Sequence, residues 1–325
     1  MKSLRIRVVI VLAILGALAP FLASDVPVIA RVGGELRFPV VERWFGFSKP
    51  PQDAATWTDW WIRLADDSPD FAVMPLWHRG PHETYRGQVL ATPSLEHPLG
   101  VDDVGRDQLA RVLHGLFVVT AVALGTAVIA LVVGVLFGGI AALSGGIVDA
   151  VALRVLELFA GLPALLAALA CSAFFGGSLL AVVLFLGAVE WPPVARVVRG
   201  EILRVRELPM TRALFGFEVP RLRILWRHVW PQVRGPVGVT VAFVAADAVQ
   251  SEAGLAFLGF TAGSRSVSLG AMIDTGRLHV MDGAWHMWLL PSLILMAVVL
   301  GLHAFGDRRS HLGRRRITTM PRTGR

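Results

Sequence analysis

The stretch Leu116–Leu143 reads LFVVTAVALGTAVIALVVGVLFGGIAAL and contains no charged residue. A helix on the surface of a soluble domain shows a polar face at regular intervals; here only Thr120 and Thr126 interrupt the apolar run. About 20 apolar residues suffice for a helix to cross a hydrocarbon core of roughly 30 Å. The stretch is therefore read as a transmembrane helix. Five more runs of this kind lie outward from it, at Val8–Ala23, Val151–Phe175, Leu179–Val198, Val237–Leu258 and Trp285–Phe305. The expected fold class is an all-α polytopic membrane protein. It has six transmembrane helices and a small external subdomain between helices 1 and 2.

Composition agrees. The 325 residues are 54% hydrophobic and 17% charged, with a mean hydropathy of +0.62. Soluble domains carry about a quarter charged residues, and here the apolar residues pool into runs. A soluble enzyme, a disordered chain and a secreted disulfide scaffold are excluded. Cys171 is the single cysteine, so no internal disulfide forms. The first run has the basic start and short apolar core of a signal peptide. Pro20–Ser24 (PFLAS) is a poor small-x-small cleavage site, which favours a retained anchor.

The formal net charge is +7, and its distribution matters more than its size. Lys2, Arg5 and Arg7 make the start basic. Residues 25–107 hold eight Lys/Arg against thirteen Asp/Glu, net −5. Residues 196–234 hold nine Arg against three Glu, and 307–325 seven Arg against Asp307, each net +6. Signs that alternate with the apolar runs follow the positive-inside rule and point to membrane lipid, not nucleic acid, as the charged partner. The order expected is an anchor helix 1–24, an extracytoplasmic cap 25–110, a transmembrane core 111–306 with a cytoplasmic loop 199–236, and a basic cytoplasmic tail 307–325. Both termini then lie in the cytoplasm. The cap is too long for a plain connection. It holds Trp44, Trp57, Trp60, Trp61 and Trp77, and alternation over Glu35–Val40 suggests a short strand. Its tryptophans read first as packing, with a solute-stacking platform as the sharper alternative.

Three polar blocks stand out. His97–Asp107 (HPLGVDDVGRD) precedes the second span. Gly100 and Gly105 allow sharp turns, Asp102 and Asp103 offer acceptors near a helix start, and Arg106 can pair with a carboxylate. An elaborate helix entry is the plain reading. Acid–base or metal-ligand work by Asp102 and Asp103 would need a second ligand cluster, and none is visible. The cytoplasmic block ends in Arg221–Pro231 (RLRILWRHVWP). Leu222, Leu225, Trp226 and Val229 recur at helical spacing, with Arg223 and Arg227 elsewhere on the wheel and His228 beside them. This is an amphipathic helix halted before Pro231, lying either on lipid or in a soluble partner. In the fifth span Asp247, Gln250 and Ser251 share one face, while Glu252 is turned about 140° from Asp247. Interhelical hydrogen bonding and the lining of a transport path both fit. Arg154 and Glu157 are spaced to pair. Glu190 precedes Pro192 and Pro193, which are expected to break or kink the fourth span. No nucleotide-binding lysine loop or HExxH zinc motif occurs, so the chain is not expected to be an enzyme.

At these blocks the chain resembles the C-type inner-membrane subunit of peptide ABC importers, the oligopeptide/dipeptide permease family. His97–Asp107 matches the family's segment before its second span, with Val101 where Thr is usual. Trp191-Pro192, Arg196–Glu201 (RVVRGE), Arg223–Pro231, Glu252–Gly259 (EAGLAFLG) and Ser268–Met272 (SLGAM) match further blocks in order. The similarity covers Glu96 to Arg309, about two-thirds of the chain. Gly34–Pro39 (GELRFP), in the long first external loop, is similar to a subgroup that includes Yej-type transporters. The resemblance implies a type I ABC importer permease of a bacterial inner membrane, importing peptides or peptide-like solutes. Its implied partners are a second permease subunit, two cytoplasmic ATPase subunits and an extracytoplasmic solute-binding protein. ATP and Mg would be bound by the ATPases, and no cofactor by this chain. The family's Glu-Ala-Ala…Gly coupling signature is degenerate here. Counting back from Pro231 places Arg212, Ala213 and Leu214 at Glu-Ala-Ala and Glu218 at the glycine, with Gly216 two residues early. The alternative is therefore a transport-inactive scaffold, sensory or assembly subunit that kept the fold.

The charge alternation makes a direct prediction. Reporter fusions after Ala55, Arg221 and Arg314 should report outside, inside and inside, and a cytoplasmic signal at Ala55 would overturn the topology.

Overall fold

The structure is a computed structural model that describes residues 2–44, 48–51, 54, 56–64, 70–85, 87–175, 178–209, 227, 229–260 and 266–318. In chain order its elements are α1 (Lys2–Leu22), β1 (Ile29–Val32), β2 (Glu35–Arg37), α2 (Pro39–Trp44), α3 (Trp57–Arg63), β3 (Phe71–Val73), α4 (Gln108–Ser144), α5 (Gly146–Ala160), α6 (Ala164–Phe175), α7 (Leu179–Arg206), α8 (Trp230–Phe257), α9 (Leu269–Leu278) and α10 (Trp285–Thr318). Among the described residues four helices are long and apolar enough to cross a membrane: α4, α7, α8 and the Trp285–Gly306 part of α10. Helices α5 and α6, bent by 75° at a short break, count as a fifth when taken together. The apolar part of α1, Ile6–Leu22, is shorter and sits at the lower limit of about 17 residues for a span.

The structure departs from the sequence expectation in four places. The third run is two helices, parted at 161–163 where Pro163 supplies neither an N–H nor a free φ. The fourth run is not broken: α7 is one helix through Pro192 and Pro193. Trp191, Pro192 and Val194 are buried around the site of the missing N–H groups, and such packing lets a membrane helix tolerate proline. The fifth run begins earlier than Val237: α8 starts at Trp230 with Pro231 in its first turn, where its lack of an N–H costs little, and the helix expected before Pro231 lies mostly outside the described residues. The strand expected over Glu35–Val40 stops at Arg37, because Pro39 opens α2 in the same favoured position.

The described chain divides into two compact units. One comprises residues 1–10, 121–255 and 296–325. Its core gathers on α7, where Trp191, Val194, Ala195, Val198, Ile202 and Val205 are buried at helical spacing. Phe137 and Phe159 approach the Trp191 ring at 4.7 and 5.5 Å. Helix α4 comes close to α7 through glycine: a Cβ on Gly138 would stand 2.4 Å from the Ala195 carbonyl oxygen, and one on Gly134 2.7 Å from Val194. Small residues that admit a neighbouring backbone are the usual adhesive between membrane helices. The opposite side of α4 carries Leu124, Val128, Val132, Leu136 and Ile140 at four-residue spacing, each more than half exposed. That stripe suits lipid. Arg154 and Glu157 pair at 2.8 Å on the exposed side of α5.

The other unit comprises residues 11–120 and 256–295. It contains a three-stranded antiparallel sheet in the order β2-β1-β3. Val32 faces Glu35 across a Gly33-Gly34 turn, the loop length and composition that tight hairpins need. Asp70 accepts from the N–H groups of Gly33 and Gly34 at 3.0 and 3.4 Å. A small core of Val26, Ala30, Val40, Trp57 and Trp60 lies beneath. The Trp57 and Trp60 rings meet edge to face at 5.7 Å, and Thr56 caps α3 by accepting from the Asp59 N–H.

The α4–α7 approach can be tested by one added methyl group and its control. Gly138→Ala should lower the thermal midpoint of the detergent-extracted protein, with an overpacking cost of about 1–3 kcal/mol. Gly139→Ala, whose Cβ would meet nothing within 4 Å, should leave it unchanged.

Candidate functional site

The entry block folds as a closed polar network. Asp107 is fully buried and serves three donors. Its Oδ1 accepts from the Ala110 N–H at 2.9 Å and from Trp77 Nε1 at 3.1 Å, and its Oδ2 accepts from His97 Nδ1 at 2.7 Å. The first bond caps α4. With Nδ1 donating, His97 Nε2 is left to accept from Arg79 Nη1 at 2.6 Å, which assigns the tautomer. The Arg79 guanidinium lies over the Tyr85 ring at 4.6 Å and the Trp77 ring at 5.7 Å. Trp77 also exchanges backbone hydrogen bonds with Leu22 and Ser24 at the end of α1.

A second carboxylate organises the turn before the helix. Asp102, 2% exposed, accepts from the Val104 and Arg106 N–H groups and from Arg106 Nε at 2.6 Å. Arg111 Nε stands 3.5 Å away. Asp103 lies 3.9 Å from both Arg106 Nη2 and His279 Nε2. Gly105 has φ +89, and a Cβ there would meet the Tyr85 carbonyl at 2.8 Å. Gly100 has φ +80 and faces the ring of His286, whose Nε2 donates to the Val101 carbonyl. The network thus joins the end of α1, the segment 77–85, the start of α4 and the start of α10. Asp102 and Asp107 each accept three hydrogen bonds from the protein, which suits a scaffold.

The fifth-span block is on α8. Asp247 and Gln250 are exposed and Ser251 half-exposed, while Ala248, Val249 and Glu252 are buried, Glu252 to 2%. Asp247 lies within electrostatic reach of His303 on α10 and of Glu190 on α7. Gln250 Nε2 donates back to the Ala246 carbonyl at 3.3 Å. A carboxylate exposed midway along an apolar helix is costly against lipid, so this face suits a water-filled space or another chain.

Of the cytoplasmic block, Arg212, Ala213, Leu214, Gly216, Glu218, Arg223 and His228 lie outside the described residues. Arg227 is described and exposed. Sequence reading missed Arg79, Trp77, Tyr85 and His286, which join the entry block from distant positions, and Asp149, which holds Arg199 in a bidentate ion pair. A partner set by tertiary folding leaves no spacing signal; a buried charge in need of a counter-charge is the signal that could have raised the search.

Comparison with known proteins fixes the family. The model for binding-protein-dependent transport system inner membrane components matches residues 134–311. The chain belongs to that family. It is 35% identical over 215 residues to a putative peptide transport system permease protein of Brucella suis biovar 1, covering 66% of this chain and 72% of that protein. It is 31% identical to a putative peptide permease protein of Brucella ovis, covering 73% and 80%. It is 28% identical to the dipeptide transport system permease protein DppC of Bacillus subtilis, covering 66% and 67%. Among solved structures, a chain of the MetNI methionine ABC transporter superposes with a TM-score of 0.50 at 16% identity, covering 62% of this chain and 96% of that one. That likeness establishes the type I ABC importer permease fold. The family member described here is a multi-pass membrane protein.

Tyr85 is the single tyrosine of the chain and therefore a spectroscopic probe of the entry network. Burial, and next the Glu83 carboxylate that accepts from its hydroxyl at 3.0 Å, push its ionisation well above the usual range. Tyrosinate absorbance should therefore rise above pH ~10, the value for a free phenol, and Glu83→Gln should lower the midpoint. Stability linked to Tyr85 should hold below pH ~10 and decline as pH rises beyond it, because the unfolded phenol loses its proton first.

Proposed function

We propose that this chain is one of two permease subunits of an ATP-driven importer for peptides or peptide-like solutes. It would form half of the translocation path and pass the closure of two cytoplasmic ATPases to the membrane helices. An extracytoplasmic binding protein would deliver the solute. ATP and Mg belong to the ATPase partners, and this chain catalyses no reaction itself. The membrane is a bacterial inner membrane, with both termini cytoplasmic. The observation that carries this reading is the family match over 134–311, together with relatives named for dipeptide and peptide transport.

In this reading Asp247, Gln250 and Ser251 face the path or the second permease subunit, and Glu252 packs. The segment holding Arg212, Ala213, Leu214, Gly216, Glu218, Arg223, Arg227 and His228 meets an ATPase. The amphipathic sequence pattern there offers apolar residues to dock and arginines to set the orientation. His97, Gly100, Asp102, Asp103, Gly105, Arg106 and Asp107 hold the outer end of α4. The degenerate Arg212-Ala213-Leu214 and Glu218 positions favour one second reading, a subunit that assembles without transporting.

Two measurements separate these readings. Purification from mild detergent should recover a second permease and an ATPase, and cells should take up radiolabelled peptides only when the chain is present. Assembly without uptake supports the scaffold reading; recovery of the chain alone overturns both. Asp247→Asn should change uptake at normal complex yield, whereas Glu252→Gln should reduce yield. Full uptake and normal yield for Asp247→Asn would remove Asp247 from the path.

A further inference from the structure

Asp149 stands in the first turn of α5, and Arg199 on α7. Arg199 Nε donates to one oxygen of the Asp149 carboxylate at 2.6 Å and Nη2 donates to the other at 2.6 Å. Both side chains are about one-fifth exposed, at 23% and 21%. A guanidinium set edge-on to a carboxylate fixes orientation as well as distance, which the point charge of a lysine does not. Arg154–Glu157 and Arg204–Glu201 each stay within one helix and join nothing. The Asp149–Arg199 pair joins two.

What lies at the far end of each helix gives the pair its direction. Helix α7 continues past Arg199 to Arg206, and the chain then enters 210–226, most of the segment assigned above to the ATPase. Helix α5 is the first half of the bent α5–α6 pair, taken here as one broken span: it ends at Ala160, and α6 leaves at 75°. Movement delivered to the end of α7 therefore meets, through this pair, a half-helix with its own axis. The helices need no ion pair to stay packed. Leu156 of α5 lies in one core with Val194 and Val198 of α7, and Phe159 lies 5.5 Å from Trp191.

We propose that Asp149 and Arg199 are positioning residues, the linkage that carries displacement of the cytoplasmic coupling segment from α7 into the α5 half of the broken span. The proposal rests on the permease reading above. Neither side chain contacts solute, and the pair acts only through the helices that it joins. Its loss should uncouple ATP hydrolysis from import while leaving the complex assembled.

The test uses the whole complex, with co-purified permease, ATPase and binding-protein partners, in proteoliposomes. A radiolabelled tryptic hydrolysate of casein serves as the peptide probe. Complex yield, thermal midpoint, ATP hydrolysed and label imported are measured. Asp149→Asn and Arg199→Lys should keep yield, midpoint and hydrolysis near the parental values. Each should raise the ATP consumed per label imported about tenfold, within the roughly 5- to 150-fold span of couplings between sites. The double variant should be no worse than either single one, since residues acting as one unit are not additive. An unchanged ratio, a loss confined to yield and midpoint, or effects that multiply in the double variant would each overturn the linkage. A parental complex that imports no label overturns the permease reading and the linkage with it. Import by the parent and equally by the variants overturns the linkage alone.

Discussion

Inside a hydrocarbon layer a peptide group has only its own chain to bond with, and the remaining architecture follows from that constraint. It makes helices of the apolar runs and decides where prolines can stand. Pro231 sits in a first turn, where no N–H is needed. Pro192 sits mid-helix on α7, buried between Trp191, which Phe137 and Phe159 approach, and Val194, which the α4 backbone approaches, while the adjoining Pro193 is exposed. Pro163 is exposed, without such packing, and there the span divides, Pro163 standing just before α6 and accepting from the Ala167 N–H. One residue type thus gives three outcomes, and the local supply of hydrogen bonds and packing decides among them.

Beyond the membrane boundary water relaxes the constraint, and the chain changes its means of support. Among its described residues the segment between α1 and α4 has a small core of valines, alanine and two tryptophans. Its attachment is polar. Asp107 closes α4 and holds Trp77 and His97 at once, and His97 passes the contact to Arg79. A neutral acceptor could not serve as well, because charge-assisted bonds are about twice as strong as neutral ones. The glycines on either side of Asp102 matter for the same reason: they let backbone from Tyr85 and a ring from His286 approach the turn closely.

How far the sequence was legible follows from this division. Runs such as Leu116–Leu143 and Leu179–Val198 announce their helices because the hydrophobic signal is local and long. The break at Pro163 and the continuity at Pro192 carry the same letter and were not separable without their neighbours. The entry block was visible as a block, since its glycines and acids cluster within His97–Asp107. Its partners were not, because Arg79, Trp77 and His286 reach it only through folding. Asp149 was invisible as a partner of Arg199 across fifty positions. The fifth-span face was legible in outline: the i, i+3, i+4 spacing of Asp247, Gln250 and Ser251 separates them from Glu252, and the structure exposes the one face and buries the other.

The polar residues within the spans show where the hydrogen-bond constraint leaves something over for function. Thr240, Gln250, Ser292 and His303 each donate to the carbonyl four residues back, at Pro236, Ala246, Trp288 and Val299. Each thereby satisfies one donor on its own helix. Asp247 has no such solution. An ionised carboxylate is acceptor-only, and the preceding carbonyls of its helix are acceptors too. The N–H groups of α8 are already engaged along the helix. A donor for Asp247 must come from across a space: from a side chain on another helix, from water, from a second subunit or from a solute. Asp247 differs from these donors in kind: an acceptor on a helix whose own N–H groups are engaged finds its partner only beyond that helix.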